Sequence, residues 1–357
     1  MTALASTNHD VHWLRLRKAD IVQEERAIPE NIQVVNWRKS GRKPTWIEYS
    51  RLSRDFRNAV LAINPDIIHA GPIQRVALLP ALSGCHPLLS MSWGFDMLED
   101  ADRNSLWNWI TYFVLKNSDW LAADCDTVKH KAKRFNFPEE KVTVFPWGVD
   151  LTQFSPEKQG FMRRQVGFEE DFLIVHTRSW EPRYGVDIAL EGFRLAQKQE
   201  PNLRMFMLGG GSQGHQVKLF VEENNLTDRI QFCGYKKNQS LADYYQAADA
   251  YLSASHIDGS SVALMEAMAC GCPPIVSDIP SNLEWVEHEK EGWVFKDNDV
   301  YGLAEQILDA ASNREEIRKR GKNARNKAEE KANWTLNFQR LLETYDTVVE
   351  SARKTVG

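Results

Sequence analysis

Short apolar runs alternate along this chain with longer stretches whose apolar residues recur every three or four positions. DVHWLRL, NIQVVNW, DIIHAG, PLLSMSWG, DWLAAD and KVTVF read as strands. Between them, Glu48 to Ile63 sets Leu52, Phe56, Ala59, Val60 and Ile63 on one helical face, and QRVALLPALSG, Ser105 to Leu115 and Thr127 to Phe135 read as further helices. From Pro146 to Phe154 the pattern gives way to turn-rich GVDLTQFSPEK, which predicts a hinge. It then resumes with DFLIVHTRS, LRMFML, IQFCG, AYLSAS, PPIVS and EGWVF as strands. Helices are expected over Val186 to Gln199, Val262 to Cys270, Val300 to Lys331 and Phe338 to Val349. Strand–helix alternation of this kind predicts doubly wound parallel sheets, here in two domains, residues 1–150 and 151–335.

The most informative stretch is HIDGSSVALMEAMACGCPPIVS, from His256 to Ser277. It reads as turn, helix and strand, with Gly259, Ser260, Ser261 and Val262 at the helix start. Unpaired backbone N–H groups and the positive end of the helix dipole make such a place an anion site. Asp258 stands at its mouth, and Glu266 follows eight residues later, about two turns along the same side. A carboxylate repels phosphate, so this acidic pair suits hydroxyls beside one. Phosphate plus hydroxyls points to a sugar nucleotide or a ribonucleotide. The plain alternative is an ordinary helix capped by serine.

Composition narrows the class. At 357 residues the chain is long for a single core, and 26% charged with 43% hydrophobic residues is ordinary for a soluble globular protein. A net charge of −5 argues against nucleic acid as a partner. Five scattered cysteines without zinc spacing suggest packed thiols in a reducing cytoplasm. The start, MTALASTNHDVHW, lacks the pattern of a signal peptide, and no run is apolar for long enough to span a bilayer.

In a doubly wound sheet, ligands lie beyond the C-terminal strand ends, so the loops there hold the other candidates. His69 and the Trp93–Asp96 loop are two in the first half. RSWEPRYG, with Arg178 and Arg183, follows the first strand of the second half, and an arginine fork there suits phosphate. Gly209, Gly211 and Gly214 spell a dinucleotide-type GxGxxG. The next strand ends in Gly234, Tyr235 and Lys236 rather than in an acid for a ribose, which argues against a nicotinamide dehydrogenase. SLWNWITYFVL, Ser105 to Leu115, reads as a buried helix, with a membrane-surface helix as the alternative.

An acidic residue, Gly, a few small residues and then Glu-Ala-Met-Ala-Cys-Gly-Cys-Pro resembles the acidic-x7-acidic motif of the retaining GT-B glycosyltransferases of group 1, or family four. The resemblance extends over roughly residues 60 to 340, with Asp258 in place of the usual first Glu. It implies two Rossmann-like domains facing a cleft, acceptor side first and donor side second, with the C-terminal helix, about 336–357, completing the first. It implies transfer of a sugar, with retention, from a nucleotide-diphosphate sugar to a hydroxyl of a glycan, a lipid-linked saccharide or a small molecule. Asp258, Glu266 and Arg178 would be the catalytic set, Arg178 and the amides of Ser260 to Val262 stabilising the leaving diphosphate. The family has a Lys where Tyr184 stands, with Arg183 beside it as a replacement. Gly209 and Gly210 would line the donor cleft, Gly234 and Tyr235 would lie against the base, and Glu266 would hold the ribose. His69, Trp93 and Asp96 fall on the acceptor side, Trp93 taking the place of a family His. No Asp-x-Asp clamp is present, so a metal-free site without a cofactor is expected. Peripheral contact with the inner face of a membrane would fit such an enzyme. The family's first strand and its Gly-rich loop have no counterpart before DVHWLRL, so the first domain is expected to lack its usual first strand. Loss of turnover, leaving a protein that only binds sugar nucleotides, is the alternative function.

Overall fold

The computed structural model describes residues 2–15, 28–35, 37, 45, 48–157 and 161–356. The chain forms two compact units: Met1–Asp124 with Val128–Phe145 and Phe338–Gly357, and Cys125–Thr127 with Pro146–Asn337. Parts of two expected strands, Leu16 and Asn36, lie outside the described residues.

In the first unit, β1 (Val11–Leu14) and β2 (Ile32–Val35) form a parallel pair. β3 (Ile68–Ala70), β4 (Leu88–Met91), β5 (Trp120–Ala123) and β6 (Val142–Val144) form a second parallel sheet in simple chain order. Helix Tyr49–Ile63 buries Leu52 and Phe56, as its spacing predicts, and ends at Asn64 in a left-handed turn. Among the described residues the two sheets share no ladder. A cavity of about 820 Å³ touches both β1 and β3, with Phe56, Val60, Tyr345 and Val349 among its walls.

Helix Ser105–Lys116 departs from its buried reading. Ile110, Thr111, Val114 and Leu115 are buried, but Leu106, Trp109 and Tyr112 are exposed on the other side. Trp109 stacks on Phe113 with ring centroids 5.4 Å apart.

The second unit holds six parallel strands: β7 (Phe172–His176), β8 (Leu203–Leu208), β9 (Ile230–Gly234), β10 (Ala250–Ser253), β11 (Pro274–Ser277) and β12 (Trp293–Phe295). Their spatial order is β12-β11-β10-β7-β8-β9. Helices cover both faces, so β7 is apolar throughout rather than alternating. Phe172 and Ile174 enter one core with helix Val186–Gln197, while Leu173 and Val175 enter the other with helix Val262–Ala269.

Candidate active site

The order of the second sheet fixes where a ligand can sit. From β7 the chain proceeds to β8 and β9 on one side, and β10 starts the other side with β11 and β12. β7 and β10 are neighbours, Tyr251 opposite Val175, so the switch point lies between them, and the crevice opens beyond their C-terminal ends. Arg178 follows β7 by two residues, and Asp258 follows β10 by five. Helix Val262–Ala269 starts at the same place, with Ser261 as its cap, its Oγ accepting from Leu264 N at 3.4 Å.

These groups converge. Arg178 Nη2 lies 2.6 Å from Asp258 Oδ2, and Nη1 donates to Ser261 Oγ at 2.9 Å. The Tyr184 ring lies 4.1 Å from the guanidinium carbon, a cation–π distance. Arg178 Nε is buried and makes no hydrogen bond among the described residues. Its Nε is thus a buried donor without a partner among the described residues, while the carboxylate of Asp258 already occupies the Nη2 side of the guanidinium. Burial pushes the Asp258 carboxyl up, and Arg178 opposes that shift. Gly259 N donates to Asp258 Oδ1 at 3.0 Å, which aims the other oxygen at the arginine.

Glu266 lies on the same helix but in a different environment. It is 5% exposed, and burial raises its carboxyl to about 7 against the opposing influence of Tyr245 and Arg178. Tyr245 Oη donates to Glu266 Oε2 at 2.9 Å and lies 2.9 Å from Thr177 Oγ1. Asn238 Nδ2 reaches Glu266 Oε1 at 3.4 Å. A carboxylate held at one edge and poised near neutrality can accept hydrogen bonds from a diol at its remaining lone pairs.

The glycine loop after β8 has a packing explanation. A Cβ on Gly211 would meet Trp180 O at 2.4 Å, and Gln213 N donates to that same carbonyl at 3.0 Å. Gly209 has φ +85°, and Gly210 has open space where a side chain would stand. β8 also lies away from the switch point, which removes the structural basis for the dinucleotide reading. Gly234 has φ +66°, and Tyr235 beyond it is 81% exposed. Arg183 shares the loop of Arg178, and its carbonyl accepts from His256 N at 2.9 Å. Val262 and Ser260 flank Ser261 at the helix start, the first exposed and the second buried.

The first-unit candidates fare differently. Asp96 does not face an acceptor: it is fully buried, and its carboxylate accepts from Ile73 N, Ser92 Oγ, Trp93 N and Met97 N at 2.6–3.0 Å. It ties two strand-end loops together. His69 Nδ1 lies 2.7 Å from Tyr345 Oη, which joins β3 to the C-terminal helix, Trp334–Val356. Trp93 is 47% exposed.

Residues 1–153 match the family model of Glycosyltransferase Family 4, and residues 158–327 match that of Glycosyl transferases group 1. The chain belongs to the group 1 glycosyltransferases of GT-B fold. The amylovoran biosynthesis glycosyltransferase AmsK of Erwinia amylovora is 26% identical over 221 residues, 60% of this chain and 53% of that protein. The chain spans about half the length of the first curated relatives it matches. Among solved structures, the sucrose-phosphate synthase of Thermosynechococcus elongatus superposes with TM-score 0.80 at 20% identity, covering 98% of this chain and 91% of that one. Anabaena HepE in complex with UDP-glucose gives TM-score 0.73 at 18% identity, covering 83% and 82%.

In this group 1 glycosyltransferase the sequence motif located Asp258, Glu266 and Arg178, but not the residues that hold them. Tyr245, Thr177 and Asn238 were missed, and Tyr184 was noted only as standing where the family has a Lys. Tyr244-Tyr245 within a helix carries no signal that separates a core tyrosine from one bonded to a carboxylate. His176 was missed as well; it is fully buried at the end of β7, and burial, then Arg178, lowers its imidazole to about 4.

Proposed function

We propose that this chain transfers a sugar from a nucleotide-diphosphate sugar to an acceptor hydroxyl, with retention at the anomeric carbon. The second unit would bind the donor and the first the acceptor. The observation that carries this reading is the convergence of Arg178, Ser261 and a helix start beyond the switch point between β7 and β10. That arrangement offers a charge-assisted fork and aligned amides to a leaving diphosphate. Because the positive charge comes from Arg178 and the helix, the reaction should run without metal, and excess chelator should leave the rate unchanged. Asp258 lies within reach of the same space and suits the transferred sugar. Glu266 suits the ribose, and the Gly234–Tyr235 turn suits the base. The name of AmsK supports a growing polysaccharide, free or lipid-linked, as the acceptor class.

The test is a thermal-shift screen of nucleoside diphosphates and their sugars, since donor binding stabilises the native state by mass action. The stabilising donor is then used for transfer, with NMR assignment of the anomeric product. A stabilising donor that is neither transferred nor hydrolysed would favour the alternative of a binding protein without turnover.

We also propose a cytoplasmic protein that touches the inner face of a membrane through helix Ser105–Lys116. Among the described residues no helix is long and apolar enough to cross a membrane. Leu106, Trp109 and Tyr112 are 54%, 55% and 40% exposed, and Arg103 and Lys116 flank them, the pattern of an interfacial helix. Vesicles rich in phosphatidylglycerol should co-sediment with the protein but not with a Leu106→Ser, Trp109→Ser double variant. Equal sedimentation of the two would refute the contact.

A further inference from the structure

We propose that Tyr245 is a positioning residue for the donor: its hydroxyl, oriented by Thr177, holds Glu266 as an accepting carboxylate and sets the pH range in which a ribose is taken. The inference rests on the donor-site reading above.

The argument is a count of protons. A phenol has one proton to give. Tyr245 Oη lies 2.9 Å from Glu266 Oε2 and 2.9 Å from Thr177 Oγ1. With Glu266 ionised, the phenol proton must go to the carboxylate, so Thr177 must donate to Tyr245. The chain Thr177 to Tyr245 to Glu266 therefore has one direction, and it starts on the residue next to Arg178. Burial raises the Tyr245 phenol well above its usual range, so it keeps this proton across the whole working pH. Tyr245 is 1% exposed, and the T-shaped contact of its ring with Phe154, centroids 6.3 Å apart, helps to fix its direction. One oxygen of Glu266 is thus pinned, and its other lone pairs are left for a ligand.

The same chain offsets the cost of burying the carboxylate. The charged or titratable groups that face Glu266 are few. Helix Asn238–Ala247 brings Tyr245, the loop after β7 brings Arg178, and the end of its own helix brings Cys270, while Tyr251 of β10 acts on Tyr245. Arg325 of helix Arg314–Lys331 acts on Cys270 and donates to Ala269 O at 2.6 Å. Of these, Tyr245 and Arg178 favour the ionised form, and Tyr245 has the greater influence. With Glu266 poised at about 7, loss of the phenol hydroxyl leaves it protonated through neutrality. With one oxygen turned into an O–H donor, a protonated carboxyl offers a diol fewer and weaker acceptors than the carboxylate does.

The test uses the whole chain and the variants Tyr245→Phe, Thr177→Val and Glu266→Gln. UDP-glucose and its 2′,3′-dideoxy counterpart serve as probes, titrated by calorimetry from pH 5.5 to 9. Wild-type affinity for UDP-glucose should fall below pH 7, approaching about tenfold per pH unit, while affinity for the dideoxy compound stays flat. In Tyr245→Phe the bend should move up by about one to two pH units. The defect should then be large near neutrality and should shrink to about twofold or less at pH 9. Thr177→Val should move it in the same direction by less, and Glu266→Gln should remove the bend. A loss in Tyr245→Phe that is equal at every pH means packing alone and overturns the proposal. Infrared titration of the unliganded proteins, reading the protonated carboxyl band that disappears in Glu266→Gln, decides the matter even without a ligand. An unmoved midpoint in Tyr245→Phe overturns the positioning role, whereas a moved midpoint with no binding of either probe supports it and instead removes the donor-site reading.

Discussion

Asp258→Asn should tighten the binding of UDP while abolishing transfer. Residue types alone would place Asp258 with the sugar and leave diphosphate affinity untouched. The structure instead puts its Oδ2 at 2.6 Å from Arg178 Nη2, both side chains being largely buried. A diphosphate must therefore compete with a carboxylate for the same guanidinium. Asparagine has one acceptor oxygen where aspartate has two, and Gly259 N already donates to Oδ1 at 3.0 Å. The amide oxygen can serve the arginine only as a neutral acceptor, without the charge of the carboxylate. The difference between a charge-assisted and a neutral hydrogen bond, about 1–1.5 kcal/mol, is what the ligand no longer has to displace. Roughly five- to tenfold tighter binding follows. The assay is calorimetry with UDP at pH 8, where Glu266 is ionised, alongside Arg178→Ala. The arginine variant should bind roughly ten- to a hundredfold more weakly, having lost a charged contact worth about 1.5–3 kcal/mol. If folded Asp258→Asn binds UDP no better than wild type while Arg178→Ala is impaired, the pair does not compete with the ligand and the reasoning fails.

Two further outcomes concern stability. Glu266 titrates at about 7 when folded, against a usual 4.5, so the unfolded chain binds fewer protons between those values and stability falls as pH rises through them. Unliganded Glu266→Gln should therefore match wild type near pH 4.5 and exceed it at pH 8 by up to about 3 kcal/mol, read from urea midpoints; a gap that does not widen with pH would refute this. Gly211→Ala drives a Cβ to 2.4 Å from Trp180 O, a backbone atom that cannot step aside, and should cost roughly 1–3 kcal/mol, visible as a lowered melting temperature without change in the UDP affinity of whatever remains folded.

The strand runs and the switch-point motif were legible because they are local. β7 is an unbroken apolar run because both its faces are covered, and the helix from Val262 announces itself by its cap and its glycine stop. What failed were inferences that needed a direction. Asp96 does stand in a strand-end loop, where a doubly wound sheet puts its ligands. Four donors from that loop and its neighbour turn its carboxylate inward, and no spacing in the sequence shows that. SLWNWITYFVL is apolar on all sides, and a helix that is apolar all round reads as buried. Only Ile110, Thr111, Val114 and Leu115 find a core, and the aromatic remainder faces out.

The support of Glu266 was hidden for a related reason. Thr177 and Tyr245 are 68 residues apart, and Tyr245 and Glu266 are 21 apart. They meet because the order of strands brings β7 beside β10, with helix Asn238–Ala247 packed on the helix after β10. The glycine cluster after β8 shows the converse. Its spacing is a better match to a phosphate-binding fingerprint than anything near Arg178. Yet β8 has β7 on one side and β9 on the other, in chain order, so the switch point of the sheet does not fall at its end. Gly211 is small because the Trp180 backbone passes 2.4 Å from where its Cβ would be. A motif states which backbone can be approached closely. The order of strands decides whether the thing that approaches is a ligand or another loop, and at Gly211 what approaches is the Trp180 backbone.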